Sequence, residues 1–146
     1  MSTKMTLDIS AMQDDFFEGT SLIGIASSLP AYRFCWLLNH KFDLDLVRDP
    51  DSDLSVRVSK TETAYFPIYK YNVPLNGNSH LIYKLKLEKE SLLPEIRQLD
   101  YLWMIQSTAP ETEANEYTAH LRNLPEVQLA QILSPDRLKH LSHLLV

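Results

Sequence analysis

Apolar residues recur along the chain with two spacings, and each spacing predicts an element. Met5, Leu7 and Ile9 alternate with Thr6, Asp8 and Ser10, the period of a half-buried strand. The acidic stretch 13–20 follows as a connector, with Phe16 and Phe17 pinned to the core. Residues 22–26 form a short apolar strand holding Gly24, which either marks a bulge or admits close backbone approach; the bulge is the preferred reading. Ala31, Phe34, Cys35 and Leu38 then repeat at helical spacing, and Tyr32, Trp36 and Leu37 widen the apolar face, which predicts a well-buried helix. Ser27-Ser28-Leu29-Pro30 opens it, since a hydroxyl caps free amides and proline suits a first turn. Asn39 closes it near 39–42.

The stretch 43–53 is acidic, contains Pro50 and reads as a loop, with Leu44 and Leu46 in a short edge strand. Leu54, Val56 and Val58 alternate with polar neighbours as a further strand. In 64–72, Tyr65, Tyr69 and Tyr71 fall on one face and Phe66 and Ile68 on the other. Pro67 cannot donate to a ladder, so this strand lies at an edge or bulges. Asn76-Gly77 is a turn signal, and Leu81, Tyr83, Leu85 and Leu87 alternate with Lys84, Lys86 and Glu88 as a one-sided strand. The segments 64–72 and 81–88 are therefore expected to pair as a hairpin.

Residues 101–105 are apolar without alternation, the mark of a strand buried on both faces at the centre of a sheet. Leu99, Tyr101 and Trp103 are expected on one of its faces, Leu102 and Met104 on the other. Pro110 and the acidic run 111–116 open a second helix with Ala114, Tyr117, Thr118 and Leu121 inward, stopped by Pro125. Residues 127–132 make a last strand, and Ser134-Pro135-Asp136 opens a terminal helix carrying Leu138, Leu141 and Leu145. The order predicts an α+β fold, a largely antiparallel sheet with two or three helices packed on one face, in a single domain over 1–146. Residues 101–132 form a βαβ unit if their strands are parallel, giving a ferredoxin-like element near the C-terminus.

Leu93-Pro94-Glu95, Ile96-Arg97-Gln98 and Leu99-Asp100-Tyr101 together resemble the signature of the IPExxxVDY family of small bacterial proteins, with Leu93 for Ile and Leu99 for Val. The resemblance extends to Ser21-Leu22-Ile23-Gly24-Ile25, to Tyr32-Arg33 and Leu38-Asn39, and to the tail 138–146. It implies a bacterial protein whose genes keep company with those of ribonuclease III and fatty-acid synthesis, and it brings no catalytic residue with it.

With 146 residues and 45% apolar composition the chain can build a real core. Its net charge of -5 weighs against a phosphate-tracking surface. A single cysteine, no apolar leader and no window near ~20 apolar residues predict a soluble, cytoplasmic protein without membrane contact. Three glycines leave no phosphate-cradling loop, and the histidines His40, His80, His120, His140 and His143 offer no zinc-ligand spacing, so neither cofactor nor metal is expected. Cys35, among apolar neighbours, reads as core rather than nucleophile.

The motif residues Pro94, Glu95, Asp100 and Tyr101 read first as a structural junction: Pro94 fixes the chain, Glu95 caps amides, and Asp100 pairs with an arginine or caps the turn into the strand. Glu95 and Asp100 as an acid–base pair is the third-ranked reading, and it alone would make the protein an enzyme. The first reading is a non-enzymatic interaction or adaptor module binding a protein partner or itself, through a surface of Tyr65, Tyr69, Tyr71, Tyr83, Lys84 and Lys86. The second is RNA association through the same hairpin, disfavoured by the net charge.

Overall fold

The structure, a computed structural model, describes residues 19–57, 59–87 and 90–134. The strand read over 5–9, Phe16 and Phe17, the terminal helix and His140 and His143 lie outside these residues. The described elements in chain order are β1 (Thr20–Ala26), α1 (Ala31–Phe42), β2 (Val47–Arg48), β3 (Leu54–Arg57), β4 (Thr63–Phe66), β5 (Ile68–Asn72), β6 (Ser79–Lys84), β7 (Tyr101–Gln106), α2 (Pro110–Leu121) and β8 (Leu129–Leu133). Among the described residues the fold is α+β, with a six-stranded antiparallel sheet in the order β2-β5-β6-β7-β1-β8, a two-stranded sheet β3-β4, and two helices.

The unalternated apolar run becomes β7, paired with β6 on one side and β1 on the other and buried on both faces. β7 and β8 both run antiparallel to β1, so the two strands joined by α2 are parallel to each other with β1 between them. On one face Ile23, Ile25, Ile82, Tyr101, Trp103 and Ile105 pack against Phe34, Cys35 and Leu38 of α1 and Ala114 and Leu121 of α2. The other face, Leu22, Leu81, Tyr83, Leu102 and Met104, is covered by Leu54 and Phe66 of the small sheet and by Leu92, Leu93, Ile96 and Leu99. Both helices therefore share one face, and the opposite face is a second core.

Several expectations are corrected by this arrangement. Gly24 is no bulge: it sits in unbroken register opposite Leu102 and Gln131. It is glycine because a Cβ there would lie 2.4 Å from Leu99 Cδ1 and 2.9 Å from Leu133 Cδ1. Leu99 packs with Leu102 and Met104, not with Tyr101 and Trp103. The chain turns between Ile96 and Leu99, whose N–H donates to the Ile96 carbonyl at 3.0 Å, so strand parity does not extend back to Leu99.

Pro67 divides one expected strand into two: Phe66 pairs with Leu54 in the small sheet, and Ile68 pairs with Tyr83 in the large one. Only 68–72 and 79–84 form the hairpin. β6 is buried on both faces rather than one, because His80 and Ile82 lie on the helix-covered side.

The ends of α1 also differ. Pro30 precedes its first turn without a side-chain cap, and Asp43 at φ 54° ends it by donating its N–H to the Asn39 carbonyl. The Asn39 side chain instead clasps the Leu46 backbone, accepting its N–H at 2.8 Å and donating to its carbonyl at 3.2 Å.

Candidate functional site

A short acid placed between an apolar turn and a buried strand has few routes to water, and Asp100 uses each oxygen differently. Oδ2 accepts the Ser27 N–H at 2.8 Å, and Oδ1 lies 3.3 Å from Lys86 Nζ. The Asp100 N–H donates to the Ile25 carbonyl at 2.8 Å, and its own carbonyl accepts Leu85 N–H at 2.9 Å. Asp100 thus ties the end of β1, the start of β7 and the continuation of β6, with a lysine as its cationic partner where an arginine or a turn cap was expected. Leu99 covers Gly24 beside it, so the turn before β7 packs directly on β1. Tyr101 stacks on Phe34 at 4.3 Å and donates its hydroxyl to the Leu29 carbonyl, with burial holding its phenol well above the usual range. Pro94 stands at the first position of a 3-10 turn, Pro94–Ile96, and Glu95 follows it, half-buried.

The hairpin residues do not share a surface. Tyr83 is fully buried under the small sheet, its hydroxyl 3.7 Å from Met104 Sδ and its phenol pushed up by burial. Tyr69 and Tyr71 lie half-buried on the helix side, and Tyr65 is exposed on β4. Arg48 approaches the Tyr69 ring at 6.0 Å while its guanidinium holds Asp53 in a two-pronged ion pair. Lys86 is held by Asp100, and Lys84 is half-buried at the end of β6.

Two features escaped the sequence reading. The first is an aromatic cluster where α1, α2 and the sheet converge: Phe42, Tyr71, His80, Trp103 and Tyr117, with ring centroids 4.5 to 6.1 Å apart. Trp103 Nε1–H donates to His80 Nδ1 at 3.0 Å. An indole N–H can only donate, so His80 Nδ1 accepts and its proton sits on Nε2. Burial lowers the imidazole's affinity for a second proton, and the charge of Glu113 opposes that only in part. With its lone pair occupied by the indole, His80 has no free basic nitrogen for proton abstraction.

The second feature is the outward face of α1. Positions 32, 36 and 40 are spaced by four residues and form a ridge away from Phe34 and Leu38. Tyr32 is 67% and Trp36 61% exposed, correcting the expectation that they widen the buried face; Leu37 alone of the three is buried. Trp36 stacks on His40 at 4.1 Å, and Arg33 is exposed beside the ridge. α1 carries no acidic residue, although the chain is acidic overall. Solvent-exposed Trp and Tyr with a neighbouring Arg are the residue types that carry binding energy in protein interfaces.

A cleft of about 460 Å³ lies elsewhere, lined by Thr20, Ser21, Glu111, Asn115, Ile132, Leu133 and Ser134. No group of three metal-ligating side chains and no helix long and apolar enough to cross a membrane occurs among the described residues. Cys35 is buried in the helix-side core, its thiol pushed up to about 12 by burial. Comparison with known protein families, with curated proteins and with solved structures finds no match in any of the three.

Proposed function

We propose that this protein is a non-enzymatic interaction module of the cytoplasm and that the outward ridge of α1, rather than the hairpin, is its docking surface. The observation behind this is the exposed, stacked Trp36 with Tyr32 and Arg33 on one helix face. Exposing a tryptophan forgoes roughly 1.5–3 kcal/mol of burial, which a partner restores on binding. The same proposal keeps the resemblance of residues 93–101 to the IPExxxVDY signature as its family reading. It also takes β7–α2–β8, with β1 between the parallel strands, as a ferredoxin-like element.

The test is quantitative co-purification from the native host with the parent, Trp36→Glu and Tyr65→Glu. Trp36→Glu is expected to lose the partners and Tyr65→Glu to keep them, with unchanged melting in both. Equal recovery by all three, or a substrate converted by the purified protein, contradicts the reading. An RNA partner would instead show recovery that falls steeply with salt.

A further inference from the structure

We propose that the cleft between α2, β1 and β8 is a binding site for a small primary amine, its ammonium held by Ser21, Glu111 and Asn115 and its carbon body laid on Ile132. Ser21 is the first sign. It shares its face of β1 with Ile23 and Ile25, the helix-covered side, and is only 7% exposed. Alanine would fill such a position without burying a polar group. Ser21 instead lines the cleft, and its hydroxyl has no hydrogen-bond partner among the described residues. A hydroxyl taken out of water and left unbonded costs stability, so a group that enters the cleft and bonds it is favoured.

The rest of the wall sets the chemistry of that group. Glu111 and Asn115 stand one turn apart on a single stripe of α2. Ile132 lies on the same side of β8 as Ala130 and is 45% exposed, an apolar wall open to contact. Among the described residues Glu111 is the only ionisable side chain that lines the cleft. A carboxylate, an amide oxygen and a hydroxyl all accept hydrogen bonds, and a primary ammonium carries three donors and no acceptor. Its charge also strengthens the bond to Glu111. An anion finds no cation in this lining. Nor does the start of α2 invite one, because Glu111 and Glu113 in its first turn already answer the helix dipole. At about 460 Å³ the cleft has the size of a small-molecule site.

Titrations of the full chain, followed through its backbone amide NMR signals, test this with probes that share a butyl body. Protonated n-butylamine is expected to shift the signals of Ser21, Asn115 and Ile132 saturably, with a dissociation constant of about 1–10 mM, as fits a ligand of so few atoms. Butyrate should leave those signals in place. Butyltrimethylammonium keeps the charge but lacks the donors, and should bind about tenfold more weakly. Glu111→Gln should weaken the amine about tenfold and remove its advantage over n-butanol. Ser21→Ala should weaken the amine about threefold or more yet melt no lower than the parent, since the free protein makes no bond to that hydroxyl. Thr118→Val removes a buried, unpartnered hydroxyl outside the cleft lining and should leave the affinity unchanged.

Shifts that do not saturate, equal binding of butyrate or butyltrimethylammonium, or an affinity untouched by Glu111→Gln overturns the proposal. So does Ser21→Ala that melts lower than the parent while binding the amine as before, which would make Ser21 a hydroxyl of the fold and not of a site.

Discussion

His80 shows how one side chain acquires a role from its surroundings. In the sequence it is one of five histidines with no partner in view; the structure places it under α2 with its Nδ1 filled by the Trp103 indole. Protonating Nδ1 would set two donors against each other inside the aromatic cluster. The native state therefore holds the imidazole neutral, with an affinity for protons below that of the unfolded chain, whose histidine titrates near 6.5. Below that pH the unfolded state binds the extra proton, so stability present above about 6.5 is lost as pH falls. Denaturant melts of the parent and His80→Asn across pH 5 to 8 check this: the parent is expected to lose stability toward acid more steeply. Parallel pH profiles would show that His80 does not carry the effect.

Asp100 is the other such residue. Removing its carboxylate in Asp100→Ala strands the Ser27 amide and should cost about 1–3 kcal/mol, by the ordinary worth of a hydrogen bond to a charged group. Lys86→Ala, which removes an exposed partner only, should cost under about 1 kcal/mol. Equal losses from both would place the energy in the ion pair instead of the Ser27 clasp.

Among the elements, β7 was legible because an apolar run without alternation has one common explanation, burial on both faces. The paired strands β5 and β6 were legible through the Asn76-Gly77 turn, but their extent was not. Pro67 blocks a ladder bond equally well at an edge, in a bulge or between two sheets, and only tertiary packing selects the last. β6 was misread because Lys84 and Lys86 suggested a wet face, while helix cover begins just before them, over His80 and Ile82. α1 was legible on its inner side and wrong on its outer side. Hydrophobicity alone cannot distinguish an aromatic ring that belongs to a core from one that awaits a partner.

Gly24 gives the sharpest element-level prediction. Its neighbours, the Leu99 and Leu133 side chains, leave no room for a methyl group. Gly24→Ala should destabilise the fold by about 1–3 kcal/mol through overpacking, and Gly24→Ala with Leu99→Ala should recover part of that through relief of the clash. Additive losses in denaturant melts would mean the contact is slack.

At the scale of the molecule, two cores share one sheet and meet at β7, whose Trp103 fills the helix side and whose Met104 fills the other. Trp103→Ala should cost about 3–5 kcal/mol, a large share of a small fold's stability, and leave His80 without its donor. The class of fold was readable from the order of the elements. The second core was not, because the segment 92–99 that covers it has neither helical nor strand periodicity. The tyrosines of the hairpin read as one surface in the sequence, yet packing buries Tyr83 fully and Tyr69 and Tyr71 by half, so they share no exposed face.

The claim that α1 is the working face meets its most direct test in paired photo-crosslinking inside the native host. A photoreactive phenylalanine analogue is placed at position 36 in one variant and at position 65 in another. Trp36 and Tyr65 are 61% and 62% exposed, so the two probes meet solvent equally and differ only in what docks there. Discrete adducts from position 36, absent from position 65, are the predicted result. No adduct at position 36, or the same adducts from both positions, would contradict the account.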